Sequence, residues 1–168
     1  KADKYLSVLP LAHIFERTAC EFYALYVGAQ ISFPLNYKNF ADELREDGIT
    51  IMNLVPRMLE KLYEKIEAAI NANYLLRTLS KIPVLDSLIY KLIKMQVAPG
   101  LRFFISGGAA LNPQLAEHLK KYGLITLQGY GLTETSGGIT VNPAQGYQFA
   151  TVGKIIKGAE LRIADDGE

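Results

Sequence analysis

Apolar and polar positions alternate along this chain in two rhythms, and the switches between them mark out elements. Tyr5 to Leu9 is a short apolar run stopped by Pro10, which predicts a strand. Ala12 to Val27 has the spacing of a buried helix, with Gly28 where a C-cap belongs. Gly28 to Phe33 predicts a second strand, Asn36 to Glu46 a short polar helix ended by Gly48, and Ile49 to Val55 a third strand. Pro56 then suits a first helical position, and Leu59, Leu62, Tyr63, Ile66 and Ile70 follow at helical spacing. Glu60, Lys61, Glu64, Lys65 and Glu67 fill the opposite face. Tyr74 to Val97 predicts two helices broken at Ile82-Pro83. Leu101 to Ile105 is the clearest strand. Asn112-Pro113 caps and starts a helix that runs to Lys120-Lys121, with Gly123 closing it. Leu124 to Leu127 is another apolar run, and Ala159 to Ile163 predicts a last strand feeding a turn at Asp165-Asp166-Gly167.

Strands alternating with helices predict an α/β fold, a mostly parallel sheet flanked by helices, with a small terminal β segment. The 168 residues suffice for one domain, with an α/β core over 1–135 and a β-rich tail over 136–168. A composition of 49% hydrophobic and 21% charged residues excludes a disordered chain. The net charge of +1 gives no field that would gather nucleic acid. No run approaches the ~18 uncharged apolar residues of a spanning helix. Cys20 is the single cysteine, so there is no intrachain disulfide. It is either a reactive thiol or, as its helical setting favours, a small buried apolar residue.

Candidate chemistry concentrates in two glycine-rich stretches, each following a strand. Ser106-Gly107-Gly108-Ala109 follows the strand at Leu101, and Gln128-Gly129-Tyr130-Gly131-Leu132-Thr133-Glu134-Thr135 follows the run at Leu124. One helix separates them, and a right-handed β-α-β unit brings both loops to one crevice at the strands' carboxyl ends, where open α/β sheets bind ligands. The octet predicts a loop whose Tyr130 ring suits a flat base, whose Thr133 hydroxyl suits a phosphate oxygen and whose Glu134 suits Mg²⁺. The alternatives are a Gly-rich turn with a helix cap at Thr-Glu-Thr, and a tight strand-to-helix turn at Gly107-Gly108. His13 is either an acid, a base or a pocket wall at a strand end, or a helix-start residue satisfied by backbone. Glu16 and Arg17 pair locally or face solvent, and His118 reads as a solvated helix residue. No spacing matches a Walker loop, a dinucleotide fingerprint, a metal site or a Ser-His-Asp triad.

Four blocks in order resemble one family. The octet 128–135 resembles the signature of the adenylate-forming enzymes. Leu9-Pro10-Leu11-Ala12-His13-Ile14-Phe15-Glu16-Arg17 and Phe104 to Leu111 are similar to segments of the long-chain fatty acid–CoA ligases. Thr151-Val152-Gly153-Lys154 with Gly158 to Ile163 resembles their next block. The resemblance implies ATP-dependent activation of a fatty acid through an acyl-adenylate to acyl-CoA, with Mg²⁺ on the phosphates and coenzyme A as acceptor. It implies that Gly107, Gly108, Ala109, Gln128, Gly129, Tyr130, Gly131 and Thr133 hold the nucleotide. Tyr130 would lie on the adenine, Thr133 on the α-phosphate, Glu134 on the metal and His13 near the reacting carboxylate. It also implies a cytoplasmic enzyme, or one peripheral on a membrane. The family's phosphate loop, ribose-binding aspartate and lysine-bearing C-terminal domain have no counterpart in these residues. The ends read as those of an internal fragment of the large N-terminal domain, expected to be inactive alone and prone to self-associate. Two other readings stay open: an adenylating enzyme with another acid or a carrier-protein acceptor, and a non-catalytic nucleotide-binding module.

Overall fold

In the computed structural model, residues 2–35, 40–46, 48–79, 82–165 and 167 are described. Strand β1 (Lys4–Leu6) leads through a turn to α1 (Ile14–Glu16), which continues as a π-helical segment (Arg17–Phe22) into α2 (Tyr23–Val27). Gly28 ends that rod at φ 69°, the left-handed conformation of a C-cap glycine. Strand β2 (Gln30–Ser32), α3 (Ala41–Glu46) and β3 (Ile51–Leu54) follow. Next come α4 (Pro56–Ala72), α5 (Tyr74–Leu79), α6 (Pro83–Val97), β4 (Phe103–Ser106) and α7 (Pro113–Lys121). Strands β5 (Thr126–Leu132), β6 (Gly137–Val141) and β7 (Lys154–Ile155) complete the order. The predicted break at Ile82-Pro83 separates α5 from α6. The Asn112 side chain caps α7 by accepting from the Gln114 amide at 2.9 Å. The first part of the helix predicted over Asn36–Glu46 lies outside the described residues.

The seven strands form one sheet in the order β2-β1-β3-β4-β5-β6-β7. The first five are parallel, and β6 and β7 run antiparallel at one edge. This is the mostly parallel, helix-flanked sheet that the pattern predicts. Successive strand residues point to opposite faces, so Leu6, Met52 and Phe104 enter the main core under the helices that follow β2, while Tyr5, Ile51 and Phe103 face the α1–α2 rod. Strand β3 is buried at all four positions, as a central parallel strand covered on both sides should be.

Three expectations are corrected. The octet is not a loop: Gln128 to Leu132 continue β5, Gly129 to Leu132 pairing with β6, leaving only residues 133–136 as the turn. The glycines serve close strand approach, because a Cβ on Gly129 would stand 2.9 Å from the Thr140 carbonyl oxygen and one on Gly131 would overlap the Gly137 carbonyl. A register shift between Tyr130 and Gly131 bends the strand there. Second, Ala159 to Ile163 forms no strand. Lys154–Ile155 takes the outer edge of β6, Gly158 turns the chain at φ 91°, and the following residues have no ladder beside them among the described residues. Third, His118 is not simply solvated: its ring stacks on Tyr63 with centroids 5.4 Å apart.

Candidate active-site cleft

The carboxyl end of β1 opens into the turn before α1, and His13 is the cap of that helix. Its Nδ1 accepts the Phe15 amide at 3.2 Å, so the helix-start alternative describes its bonding. That bond leaves the proton of a neutral ring on Nε2. One turn on, the Thr18 hydroxyl donates to the Ile14 carbonyl at 2.8 Å. The π-helical segment begins there; such segments lengthen the hydrogen-bond step by one residue and recur at functional sites.

Beside it, β4 ends in Ser106 and turns at Gly107-Gly108. Gly108 takes φ 80°, which a side chain resists. A Cβ on Gly107 would stand 3.3 Å from the Phe15 ring, so the turn is shaped to the start of α1. The β5–β6 hairpin closes the third side. Its turn is tied by the Thr135 hydroxyl, which accepts the Leu132 amide at 2.9 Å and lies 2.8 Å from the Gly137 carbonyl oxygen. A Cβ on Gly137 would come within 2.6 Å of the Thr18 hydroxyl, so hairpin and helix meet there.

These three elements enclose a cleft of about 910 Å³. His13, Gly107, Gly108, Gly129, Tyr130, Gly131, Thr133 and Glu134 all line it. Tyr130 is 43% exposed, enough for one side of its ring to receive a ligand. Thr133 and Glu134 are exposed at the turn. Two expected nucleotide contacts are placed elsewhere. Gln128 is buried on the other side of β5, where its Oε1 accepts the Leu111 amide at 2.9 Å and fixes the segment after the glycine turn. Ala109 is exposed but lies outside the cleft lining. Chain parity explains Gln128, since Leu127 and Gly129 on either side of it face the cleft.

Sequence patterns do not single out three further wall residues. Phe15 and Thr18 look like ordinary helix positions until the glycines pack on them. Asn142, just past β6, binds three backbone groups: its Nδ2 donates to the Gln128 and Thr151 carbonyls at 3.3 and 2.7 Å, and its Oδ1 accepts the Gln148 amide at 3.0 Å. The apolar floor of the cleft comes from Ile51, Phe103, Ile105 and Leu127. At its far end Asp3 pairs with Arg102 at 2.7 Å, and this hydrogen bond holds the Asp3 carboxyl below the usual carboxylate range.

Among the described residues no cluster of three or more His, Cys, Asp or Glu gathers to hold a metal. Glu134 alone fits an ion whose other ligands are phosphate oxygens and water, as is usual for Mg²⁺. Cys20 is fully buried, and burial pushes its thiol up to about 12, which makes it an inert packing residue. Glu16 is fully buried too, neither paired with Arg17 nor facing solvent. Its Oε2 accepts from Asn53 Nδ2 at 3.0 Å, while Arg17 Nε donates to the Leu11 carbonyl at 3.3 Å. No described helix is long and apolar enough to cross a membrane.

A long-chain-fatty-acid–CoA ligase of Mycobacterium bovis is 33% identical over 100% of this chain, which spans 32% of that protein's length. The peroxisomal long chain acyl-CoA synthetase 6 of Arabidopsis thaliana is 34% identical over 80% of the chain and 22% of its own length. Among solved structures, the o-succinylbenzoate coenzyme A synthetase of Bacillus subtilis, in complex with ATP and magnesium ion, superposes with a TM-score of 0.69. It is 20% identical, and the match covers 99% of this chain and 30% of that one, a likeness of fold. The model of the AMP-binding enzyme family matches residues 1–168, so this chain belongs to that family.

Proposed function

We propose that this chain supplies the nucleotide-facing wall of a long-chain fatty acid–CoA ligase, which converts fatty acid, ATP and coenzyme A to acyl-CoA, AMP and pyrophosphate. The observation that carries this reading is the convergence of Tyr130, Thr133 and Glu134, from one hairpin, on the cleft that the Gly107-Gly108 turn also lines. The long-chain acyl-CoA ligases among its relatives support the acid and the acceptor.

In the first step a carboxylate oxygen bonds to the α-phosphorus and the bond to pyrophosphate breaks. Charge builds on the phosphate oxygens, and donors already in place stabilise it without reorganising. Tyr130 offers its ring to the adenine. The backbone at Gly107 and Gly108 lets the base approach without a Cβ in its path. The Thr133 hydroxyl donates to an α-phosphate oxygen. Mg²⁺, bound with the nucleotide, would neutralise phosphate charge, and Glu134 is the side chain that would hold it. His13, with its Nδ1 engaged by Phe15, presents Nε2–H to the fatty acid carboxylate as a donor. In the second step the coenzyme A sulfur attacks the acyl carbonyl and AMP departs. Ile51, Phe103, Ile105 and Leu127 form an apolar floor suited to the acyl chain.

The test is pyrophosphate release and acyl-CoA formation by the full-length protein with fatty acids of graded length. Glu134→Ala should lower the adenylation rate about a hundredfold, the scale of losing one pre-placed electrostatic group. An unaffected rate removes Glu134 from the metal site, and failure with every fatty acid rejects the substrate. The 168 residues on their own should form no acyl-adenylate.

A further inference from the structure

The start of α1 touches both glycine turns of the cleft wall. His13 caps it, Phe15 sits under Gly107 and Thr18 sits under Gly137. Cys20 and Ala24 pack the later part of the rod on Tyr5 and Ile51, and α1 is the turn of it that carries His13. The side chain between Phe15 and Thr18 that points into the sheet is Glu16, fully buried and bonded through Oε2 to Asn53 Nδ2 at 3.0 Å. Asn53 belongs to β3, the central strand, and is itself fully buried. The Glu16–Asn53 bond is therefore a polar pin between the rigid sheet and the turn that carries His13.

We propose that Glu16 is a positioning residue for the nucleotide cleft, pinning the α1 start to β3 through its bond to Asn53 so that Phe15 and Thr18 hold the two glycine turns at their spacing. The effect on nucleotide binding rests on the function proposed above; the pin itself does not. A carboxyl group buried without a cation depends on its hydrogen bonds, because polar groups left unpaired are costly to bury. The groups facing Glu16 offer no positive charge: Ser7 from the end of β1, Asn53 from β3, and Cys20 and Glu21 from its own rod. Burial pushes its carboxyl above the usual range, against a smaller opposing pull from Ser7, Asn53 and the Leu9 backbone amide.

Glutamine keeps the shape of the side chain and an acceptor oxygen for Asn53, whereas leucine keeps only the bulk. The experiment compares Glu16→Gln and Glu16→Leu with the wild-type full-length protein by hydrogen–deuterium exchange over residues 13–19, 107–109 and 133–138, and by the KM for ATP. The Gln variant should match wild type within about twofold in both. The Leu variant should exchange at least tenfold faster in all three segments, with a KM for ATP raised tenfold or more. Wild-type exchange in the Leu variant, or equal damage from Gln and Leu, overturns the proposal. If the Leu variant does not fold, thermal melting of the Gln variant decides. Below the unfolded value of 4.5, both states hold the Glu16 proton. As pH rises past it the unfolded chain ionises before the folded one, so wild type loses stability that the Gln variant keeps. The Gln variant should gain on wild type as pH rises above 4.5, and a constant difference overturns the buried pin. Absence of ATP binding by the wild type, with the exchange pattern intact, would reject the proposed function and leave the pin standing.

Discussion

Gly131 and Gly138 sit across from each other on the β5–β6 hairpin, yet only one of them has no room for a methyl group. A Cβ on Gly131 would overlap the backbone of Gly137, which cannot swing aside, whereas on Gly138 the nearest atom is the Tyr130 carbonyl oxygen at 3.9 Å. Gly131→Ala should therefore cost about 1–3 kcal/mol, the scale of overpacking against a rigid neighbour. Gly138→Ala should stay within about 0.5 kcal/mol. Thermal unfolding of the two variants reads the difference, and equal midpoints would mean that the strands can separate at no cost. The same comparison shows what residue types disclose. Tyr130, Thr133 and Glu134 are legible in the sequence as an aromatic face, a hydroxyl and a carboxylate set among small residues. Gln128 and Glu16 are not, because their roles depend on which way a strand or helix faces. Gln128 falls on the face turned to Leu111, and Glu16 falls on the face turned to Asn53.

At the scale of elements, apolar periodicity locates the helices and parallel strands well, since burial on a fixed face repeats along each of them. It fails at the hairpin. Gly129 and Gly131 resemble loop residues, but they are strand residues selected by the closeness of β6, a partner whose Gly137-Gly138 start carries no strand signal of its own. It fails again at Ala159 to Ile163, where strand-forming residues join no ladder among the described residues. The loop over 143–153 is fastened to the hairpin through Asn142, whose backbone N–H donates to Gln128 O at 2.9 Å and whose side chain binds three backbone groups. Asn142→Ala removes the side-chain bonds to the Thr151 carbonyl and the Gln148 amide, at a cost of about 1 kcal/mol each. The loss should concentrate in the tail. Limited proteolysis should cut within 143–153 at least tenfold faster than in wild type. An unchanged cutting rate would show that the tail is held instead by Lys120, whose ammonium lies 5.4 and 5.7 Å from the Tyr147 and Phe149 ring centres.

The whole molecule is asymmetric about its sheet. One face is closed by α3 to α7 over a continuous core, while among the described residues the other carries only the α1–α2 rod. That rod is apolar on both sides, the pattern of a helix meant to be surrounded. Its inner side packs Cys20 and Ala24 on Tyr5 and Ile51. Its outer side leaves Phe22 at 57%, Leu25 at 71% and Tyr26 at 85% exposure. The cleft floor on the same face keeps Phe103 and Ile105 only half-buried. An uncovered apolar surface of this kind drives association in water. The 168-residue chain should therefore elute as concentration-dependent oligomers in size-exclusion chromatography with light scattering. Replacing Leu25 and Tyr26 together by Glu should move it towards monomer without unfolding it, because neither side chain enters the core. A monomer at every concentration for the unaltered chain would contradict this, and so would oligomers unmoved by the double change. The second result would place the sticky surface elsewhere, at the cleft floor or at the β2 edge beside Phe33 and Leu35, which are 51% and 99% exposed.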